Sequence, residues 1–510
     1  MRRRPVLVIN FGSQYVQLIA RRVRELGVYS EIVHWEEDIE SIKEKDPYGI
    51  ILSGGPASVY EKGAPLPDEG IYRIGVPVLG ICYGLQVIVH QRGGRVERST
   101  KQEYGRAKLK VLKEDPLFEG IPEEFDVWMS HADRVAELPQ DFVTVAVSEN
   151  SPHAVVRDRK GLIYGLQFHP EVVHTSFGKE ILANFLFKVC RAERNWEMGD
   201  LVNEKIEEIR RKVGDRKVIA ALSGGVDSTV ASVLVHRAIG DRLHCVFIDH
   251  GLLRLGEREE VERNLRSLGL PLKVVDAGKE FLSRLKGVED PEEKRRIIGN
   301  TFVEVLEREA RSVEGVRFLL QGTLYPDVVE SAGIKGSAKI KTHHNVGGLP
   351  ERMNLELLEP FRDLFKDEVR EIGKLLGIPR EILMRHPFPG PGLAVRILGE
   401  VREEDLEILR HADHIFIEEL KRSGFYEKVW QAFAVLLPVR TVGVMGDVRT
   451  YEKVIALRAV ESTDGMTADW FRFPHDFLDR VMRRIINEVK GVNRVVYDIS
   501  SKPPATIEWE

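Results

Sequence analysis

The stretch from Val218 to Thr229 constrains the fold more than any other. A short apolar run, Val218 to Leu222, passes through Ser223-Gly224-Gly225 into Val226-Asp227-Ser228-Thr229. An apolar run of that length, broken by glycines and followed by helical residues, is the strand, loop and helix of an α/β unit. Glycines at 224 and 225 let backbone N–H groups approach an anion, Ser223 and Ser228 add hydroxyl donors, and the helix N-terminus adds partial positive charge. The segment therefore reads as a phosphate cradle. It lacks the lysine of a Walker A loop, so it is a different motif.

The rest of the chain is consistent with several α/β modules. Its 510 residues suffice for roughly two to four domains, each with its own core. Short β-branched runs alternate with helical stretches up to about residue 190: Val6 to Ile9, Gly49 to Leu52, Val76 to Gly80 and Ile163 to Phe168. The charged stretch Arg191 to Asp200 breaks the pattern, which sets a boundary near 195. A second set of strands follows at Val218 to Leu222, Leu243 to Ile248, Leu272 to Val275 and Phe318 to Gln321. Helices between them imply a parallel sheet. Three prolines and two glycines in His386-Pro387-Phe388-Pro389-Gly390-Pro391-Gly392 forbid regular structure and set a second boundary. Beyond it, helices Glu403 to Ser423 and Asp476 to Val489 mix with strands Thr441 to Val444 and Val454 to Ala459, an α+β pattern. The expected division is 1–195, 196–385 and 386–510.

Composition narrows the function classes. Lys plus Arg number 75 against 80 Asp plus Glu, and the net charge of −5 argues against a dominant grip on nucleic acid or anionic membrane. Cys82, Cys190 and Cys245 are three cysteines without metal-ligand spacing, which points to a reducing compartment, the cytoplasm by default. The opening MRRRPVLVINFG has an apolar run too short for a signal peptide and reads as a first strand. No run approaches the length of a membrane span.

In the first domain Gly80-Ile81-Cys82-Tyr83-Gly84 puts a cysteine at a turn from strand to helix. Such an elbow exposes the sulfur and aims it at a helix N-terminus, and both favour thiolate. A base is offered by His169, and Glu171, two residues on in an extended segment, faces the same side to orient the imidazole. Ser53-Gly54-Gly55-Pro56 can present the Gly55 N–H, with the Tyr83 N–H, as an oxyanion hole worth roughly 3 kcal/mol per donor. Cys190 and Cys245 sit in apolar surroundings without an adjacent base and read as structural.

These three motifs in this order resemble the class I glutamine amidotransferases, over nearly all of residues 5–190. The resemblance implies that Cys82 attacks the glutamine side-chain amide and that Gln86 and Asp133 bind glutamine. The Ser223–Ser228 loop resembles that of the ATP pyrophosphatases, which split ATP into AMP and pyrophosphate while adenylating a carbonyl oxygen. That resemblance assigns Ser223, Gly224, Gly225, Val226, Asp227 and Ser228 to ATP. Ammonia from the first site would then displace AMP from an activated carbon, with Mg²⁺ neutralising the pyrophosphate.

Four further strings narrow the acceptor: Gln321 to Asp327, Lys341 to Pro350, the proline-glycine segment from His386, and Ser501 to Glu510. Together they resemble the glutamine-hydrolysing GMP synthases essentially end to end. That family implies xanthosine monophosphate (XMP) as acceptor, bound by Arg295, Gln431, Lys502 and Glu508, with Lys366 on pyrophosphate and a homodimer built on the last module. Residues 335–350 are expected to form a lid over ATP. His343 and His344 within it lack neighbouring carboxylates or thiols at metal-ligand spacing. A glutamine-dependent NAD synthetase would instead require a nitrilase-type amidase. A regulatory protein with dead sites would not hold a competent residue type at every matched position.

Overall fold

The computed structural model describes residues 3–13, 15–332, 355–445, 448–462 and 467–510. The expected lid at 335–350, with His343 and His344, lies outside the described residues. The chain forms two compact units: one contains Met1–Leu201 and, among the described residues, 326–332, the other Val202–Tyr325 and, among the described residues, 355–510. No helix among the described residues is long and apolar enough to cross a membrane.

The first unit is built on one nine-stranded sheet. Its strands are β1 (Val6–Asn10), β2 (Ser30–His34), β3 (Gly49–Leu52), β4 (Val78–Ile81), β5 (Arg95–Val111), β6 (Glu124–Glu137), β7 (Phe142–Val147), β8 (Val155–Asp158) and β9 (Ile163–Leu166), in the order β2-β1-β3-β4-β9-β8-β7-β5-β6. The run from β2 to β9 is parallel and the remainder antiparallel. Sequence explains the division. Strands β3, β4 and β9 are apolar or glycine throughout and buried throughout, as central parallel strands covered on both faces must be. In β6 buried residues alternate with half-buried ones, as in a strand with one packed face. Strand β1 pairs with β2 on one side and β3 on the other, so the chain reverses direction across the sheet there. Ligand sites of open parallel sheets form at such reversals, outside the carboxyl ends of the strands.

The second unit repeats the device. Strands β10 (Lys217–Leu222), β11 (Leu243–Asp249), β12 (Leu272–Asp276), β13 (Val316–Leu320) and β14 (Glu356–Leu358) form a parallel sheet in the order β12-β11-β10-β13-β14. The reversal falls between β10 and β13. The helix Val226–Ile239 follows β10 and is mostly apolar and buried. A second, mainly antiparallel sheet joins β15 (Gln431–Met445), β16 (Val448–Glu461), β17 (Asp469–Trp470) and β18 (Val492–Tyr497). Helices Glu403–Arg422 and His475–Glu488 contribute Phe416 and Phe477 to the core behind it. One continuous core runs from Ile219, Val246 and Leu319 of the parallel sheet through Leu393 and Ala394 to Leu436 and Ile455 of the second sheet. The proline-glycine segment feeds directly into that core, because Leu393, Ala394, Val395 and Arg396 are wholly buried.

Candidate active sites

Cys82 stands between the end of β4 and the helix Tyr83–Gln91 with φ 53° and ψ −106°. A side chain other than glycine held at positive φ costs on the order of 1–3 kcal/mol, a strain that recurs at nucleophile elbows. The flanking glycines make the elbow possible. A Cβ on Gly80 would lie 2.5 Å from the Gly84 backbone, and one on Gly84 would lie 2.3 Å from Leu52 O. The Cys82 N–H donates to Leu166 O at 2.6 Å, and Sγ lies 3.6 Å from Ser130 O.

His169 follows β9, so both side chains project beyond the carboxyl ends of neighbouring parallel strands. Its Nδ1 is 2.7 Å from Glu171 Oε1, and both residues are almost fully buried. Burial alone would lower the imidazole pKa, but the Glu171 charge and hydrogen bonding with Cys82 and Glu171 raise it well above the ordinary value. Backbone contacts fix the pair: the His169 N–H donates to Trp128 O, Thr175 Oγ1 donates to His169 O, and Arg22 Nε donates to Glu171 O. Gly55 abuts Tyr83, since a Cβ there would lie 3.1 Å from the Tyr83 ring. A cavity of about 380 Å³ is lined by Gly55, Cys82, Tyr83, Gln86, Asp133 and His169 with neighbouring residues.

Gln86 Nε2 donates to Asp133 O at 3.3 Å. The Asp133 carboxylate accepts from Ser58 Oγ at 2.5 Å and Tyr60 OH at 2.7 Å, two partners that the sequence did not announce. Beneath them His131 Nδ1 is 2.9 Å from Asp133 O and Nε2 is 3.2 Å from Glu103 Oε2. Burial pushes the Glu103 carboxyl up, yet His131, Ser151 and Ser148 together hold it below the usual range. Cys190 and Cys245 are buried, and burial pushes both thiols up, Cys245 to about 12.

In the second unit the loop Ser223–Ser228 leaves β10 beside the reversal point. Gly224 has φ +72°, and its carbonyl accepts from Arg385 Nη1 at 2.9 Å. Gly225 N donates to Ser223 Oγ, while Ser228 and Thr229 hydroxyls donate to Gly225 O. Gly322, just past β13, packs on the same loop, where a Cβ would lie 3.3 Å from the Asp227 carbonyl carbon. The loop after β10 thus packs against Gly322 after β13, and Val226 opens the helix that follows the loop. Lys366 Nζ is 3.3 Å from Asp227 Oδ2. Asp227 Oδ1 is buried without a hydrogen-bond partner. Arg385, also paired with Glu257, went unnoticed at the sequence level because nothing local marks it.

Three of the four residues expected to hold the nucleotide meet on the C-terminal arm. Glu508 accepts from Gln431 Nε2 at 2.6 Å and is gripped by Arg396, while Arg295 Nη2 donates to Glu510 O. Lys502 lies earlier on the arm, where its backbone pairs with Ala468. Beside Arg295, Lys294 is wholly buried and donates to Ala394 O, Ile397 O and the Glu510 carboxylate. Arg458, also wholly buried, donates to Ser500 O, Thr506 O and Ile507 O. Among the described residues no group of three or more His, Cys, Asp or Glu could hold a metal ion alone.

Two family models match: glutamine amidotransferase class-I over residues 7–189, and GMP synthase C terminal domain over residues 418–509. The chain is 79% identical over 510 residues to the glutamine-hydrolysing GMP synthase of Aquifex aeolicus, covering 100% of both chains. It is 62% identical over 511 residues to that of Thermosipho africanus and 61% identical over 514 residues to that of Pelodictyon phaeoclathratiforme, covering 99% of each chain in both cases. With such identity over full length, the chain belongs to the glutamine-hydrolysing GMP synthase family.

Proposed function

We propose that the chain converts XMP, ATP and glutamine to GMP, AMP, pyrophosphate and glutamate. The observation that carries this reading is the 79% identity running through the Cys82 unit and the phosphate-loop unit alike. In the first unit Cys82 Sγ attacks the glutamine amide carbon. His169 takes the thiol proton and returns it to the departing ammonia. Glu171, bonded at Nδ1, leaves Nε2 for the sulfur and stabilises the imidazolium. The Gly55 and Tyr83 N–H groups receive the oxyanion, Gln86 and Asp133 hold the amino-acid end of glutamine, and water then cleaves the thioester.

In the second unit the Ser223–Ser228 loop cradles ATP, and Lys366 receives the pyrophosphate. The buried, unpartnered Asp227 Oδ1 is a hard oxygen donor of the kind Mg²⁺ takes beside phosphates. Asp227 would hold that ion, which supplies charge neutralisation when bound. Arg295, Gln431, Lys502 and Glu508 hold XMP, and ammonia attacks the purine carbon activated as an adenylate, releasing AMP. On this reading residues 1–195, 196–385 and 386–510 are the glutaminase, adenylating and nucleotide-binding modules.

A second copy of the chain docks on the outer end of the β15–β16 ribbon, where Val442, Val444 and Tyr451 are exposed on one face. Sedimentation at the mass of one chain would remove that assignment. Three unpaired thiols fit a cytoplasmic setting; export of the native protein, found by cell fractionation, would refute it.

The test is a steady-state assay with XMP, ATP and Mg²⁺. Wild type makes GMP with glutamine, whereas Cys82→Ala makes it only with ammonium. GMP from neither would send the search to other carbonyl acceptors.

A further inference from the structure

One guanidinium at the nucleotide end of the second unit has no part in the reaction above. Arg396 closes the stretch that begins at His386 and is wholly buried. A buried cation is tolerated only when paired with good geometry. Here Nε and Nη2 donate to the two oxygens of Glu508 at 3.1 and 2.9 Å, a two-pronged match of fork to carboxylate. The fork is itself held by rings. Its Cζ lies 4.1 Å from the centroid of Phe433 and 5.2 Å from that of Phe388. Phe388, from the proline-glycine segment, is also within 5.1 Å of the Arg254 guanidinium, and Pro387 O accepts from Gln431 Nε2 at 3.3 Å. The same segment therefore braces both residues that grip Glu508.

Counting lone pairs makes the consequence specific. A carboxylate offers about four acceptor sites, two on each oxygen. Glu508 Oε1 already accepts from Arg396 Nη2 and Gln431 Nε2, while Oε2 accepts only from Arg396 Nε. One site remains, on Oε2, and its direction is set by the fork. Arg396 Nη1, in addition, is buried without a hydrogen-bond partner. An orphaned donor of that kind calls for an explanation such as an absent ligand.

We propose that Arg396 is a positioning residue of the nucleotide site: it holds Glu508 in one orientation so that Oε2 accepts a single donor, a hydroxyl or ring N–H, from a nucleoside monophosphate. This rests on the reading that Glu508 meets XMP. Phe388 and Phe433 act one step further back, by fixing the plane of the fork.

The experiment compares full-length wild type, Arg396→Lys, Glu508→Gln and the double variant, with ammonium as nitrogen donor, and reads KM for XMP and for ATP separately beside a thermal melt. Lysine keeps the charge but presents a point donor in place of a fork. Arg396→Lys is expected to raise KM for XMP by about tenfold or more and to leave KM for ATP within about twofold. The double variant is expected to bind XMP within about twofold of Glu508→Gln alone, because residues acting as one unit are not additive. A multiplicative effect in the double variant, or KM values for ATP and XMP that rise together, overturns the proposal. If Glu508→Gln keeps the wild-type KM, the reading of Glu508 fails and the proposal with it. If Glu508→Gln is impaired and Arg396→Lys is not, only the positioning role fails. Should Arg396→Lys lose its cooperative melt, Phe388→Leu decides, with a rise of about threefold in KM for XMP expected and no rise overturning.

Discussion

A single 2.7 Å contact between two buried side chains lets Glu171 govern the charge of His169. Because the imidazole pKa is raised well above its ordinary value, the His169–Glu171 ion pair persists upward in pH until that raised value is passed. The same sign applies to stability. The pair's contribution is fully present below the unfolded histidine value of about 6.5 and is lost as pH rises through the folded one. Glu171→Gln removes the charge that raises the pKa of a base that must be neutral to take the thiol proton, so the acidic limb of kcat/KM for glutamine should move to lower pH. The rate at neutral pH should fall on the order of 10²- to 10⁴-fold. Steady-state glutaminase profiles of the two proteins check this. A limb that stays in place would mean that a different carboxylate orients the base. Local spacing was enough to pair His169 with Glu171, since residues two apart in extended chain share a side. It could not reveal Ser58, Tyr60 or Glu103, whose partners lie far along the chain.

At the scale of the element, the phosphate loop depends on one backbone conformation. Gly224 sits at φ +72°, and a Cβ there would meet Val261 Cγ2 at 2.6 Å and Arg385 Nη1 at 2.7 Å. Gly224→Ala is therefore both strained and crowded, and should cost about 1–3 kcal/mol of stability while raising KM for ATP roughly tenfold. Thermal unfolding and an ammonium-driven assay read the two effects; an unchanged KM for ATP would show that this loop does not hold the phosphates. The central parallel strands were legible to within a residue or two because burial on both faces leaves continuous apolar runs. Strand β5, Arg95–Val111, was not legible. Its sequence RVERSTKQEYGRAKLKV carries charge along most of its length, and its pairing with β6, and at its end with β7, makes it a strand. Lys294 was hidden for a related reason. It looks like a surface lysine until the carboxylate of Glu510, 216 residues away, closes over it. Arg396 and Arg458 share that property, so the cations that anchor the C-terminal arm show no local sign of burial.

For the whole molecule, the question is why a glutaminase and an ATP-splitting site occupy one polypeptide. Ammonia released into neutral water becomes mostly ammonium, which has no lone pair with which to attack an adenylated carbon. A chain that let its ammonia equilibrate would lose most of the nucleophile to protonation and dilution before the second step. Ammonia is expected to reach the second step without mixing with solvent. An ammonium scavenger, such as glutamate dehydrogenase supplied with 2-oxoglutarate and NADPH, separates the alternatives. GMP formation by wild type from glutamine should keep its rate when scavenger is added, whereas GMP formation by Cys82→Ala from ammonium should stop. If the scavenger halts both while glutamine is still consumed, the ammonia passes through solvent, and the two units are coupled by linkage alone.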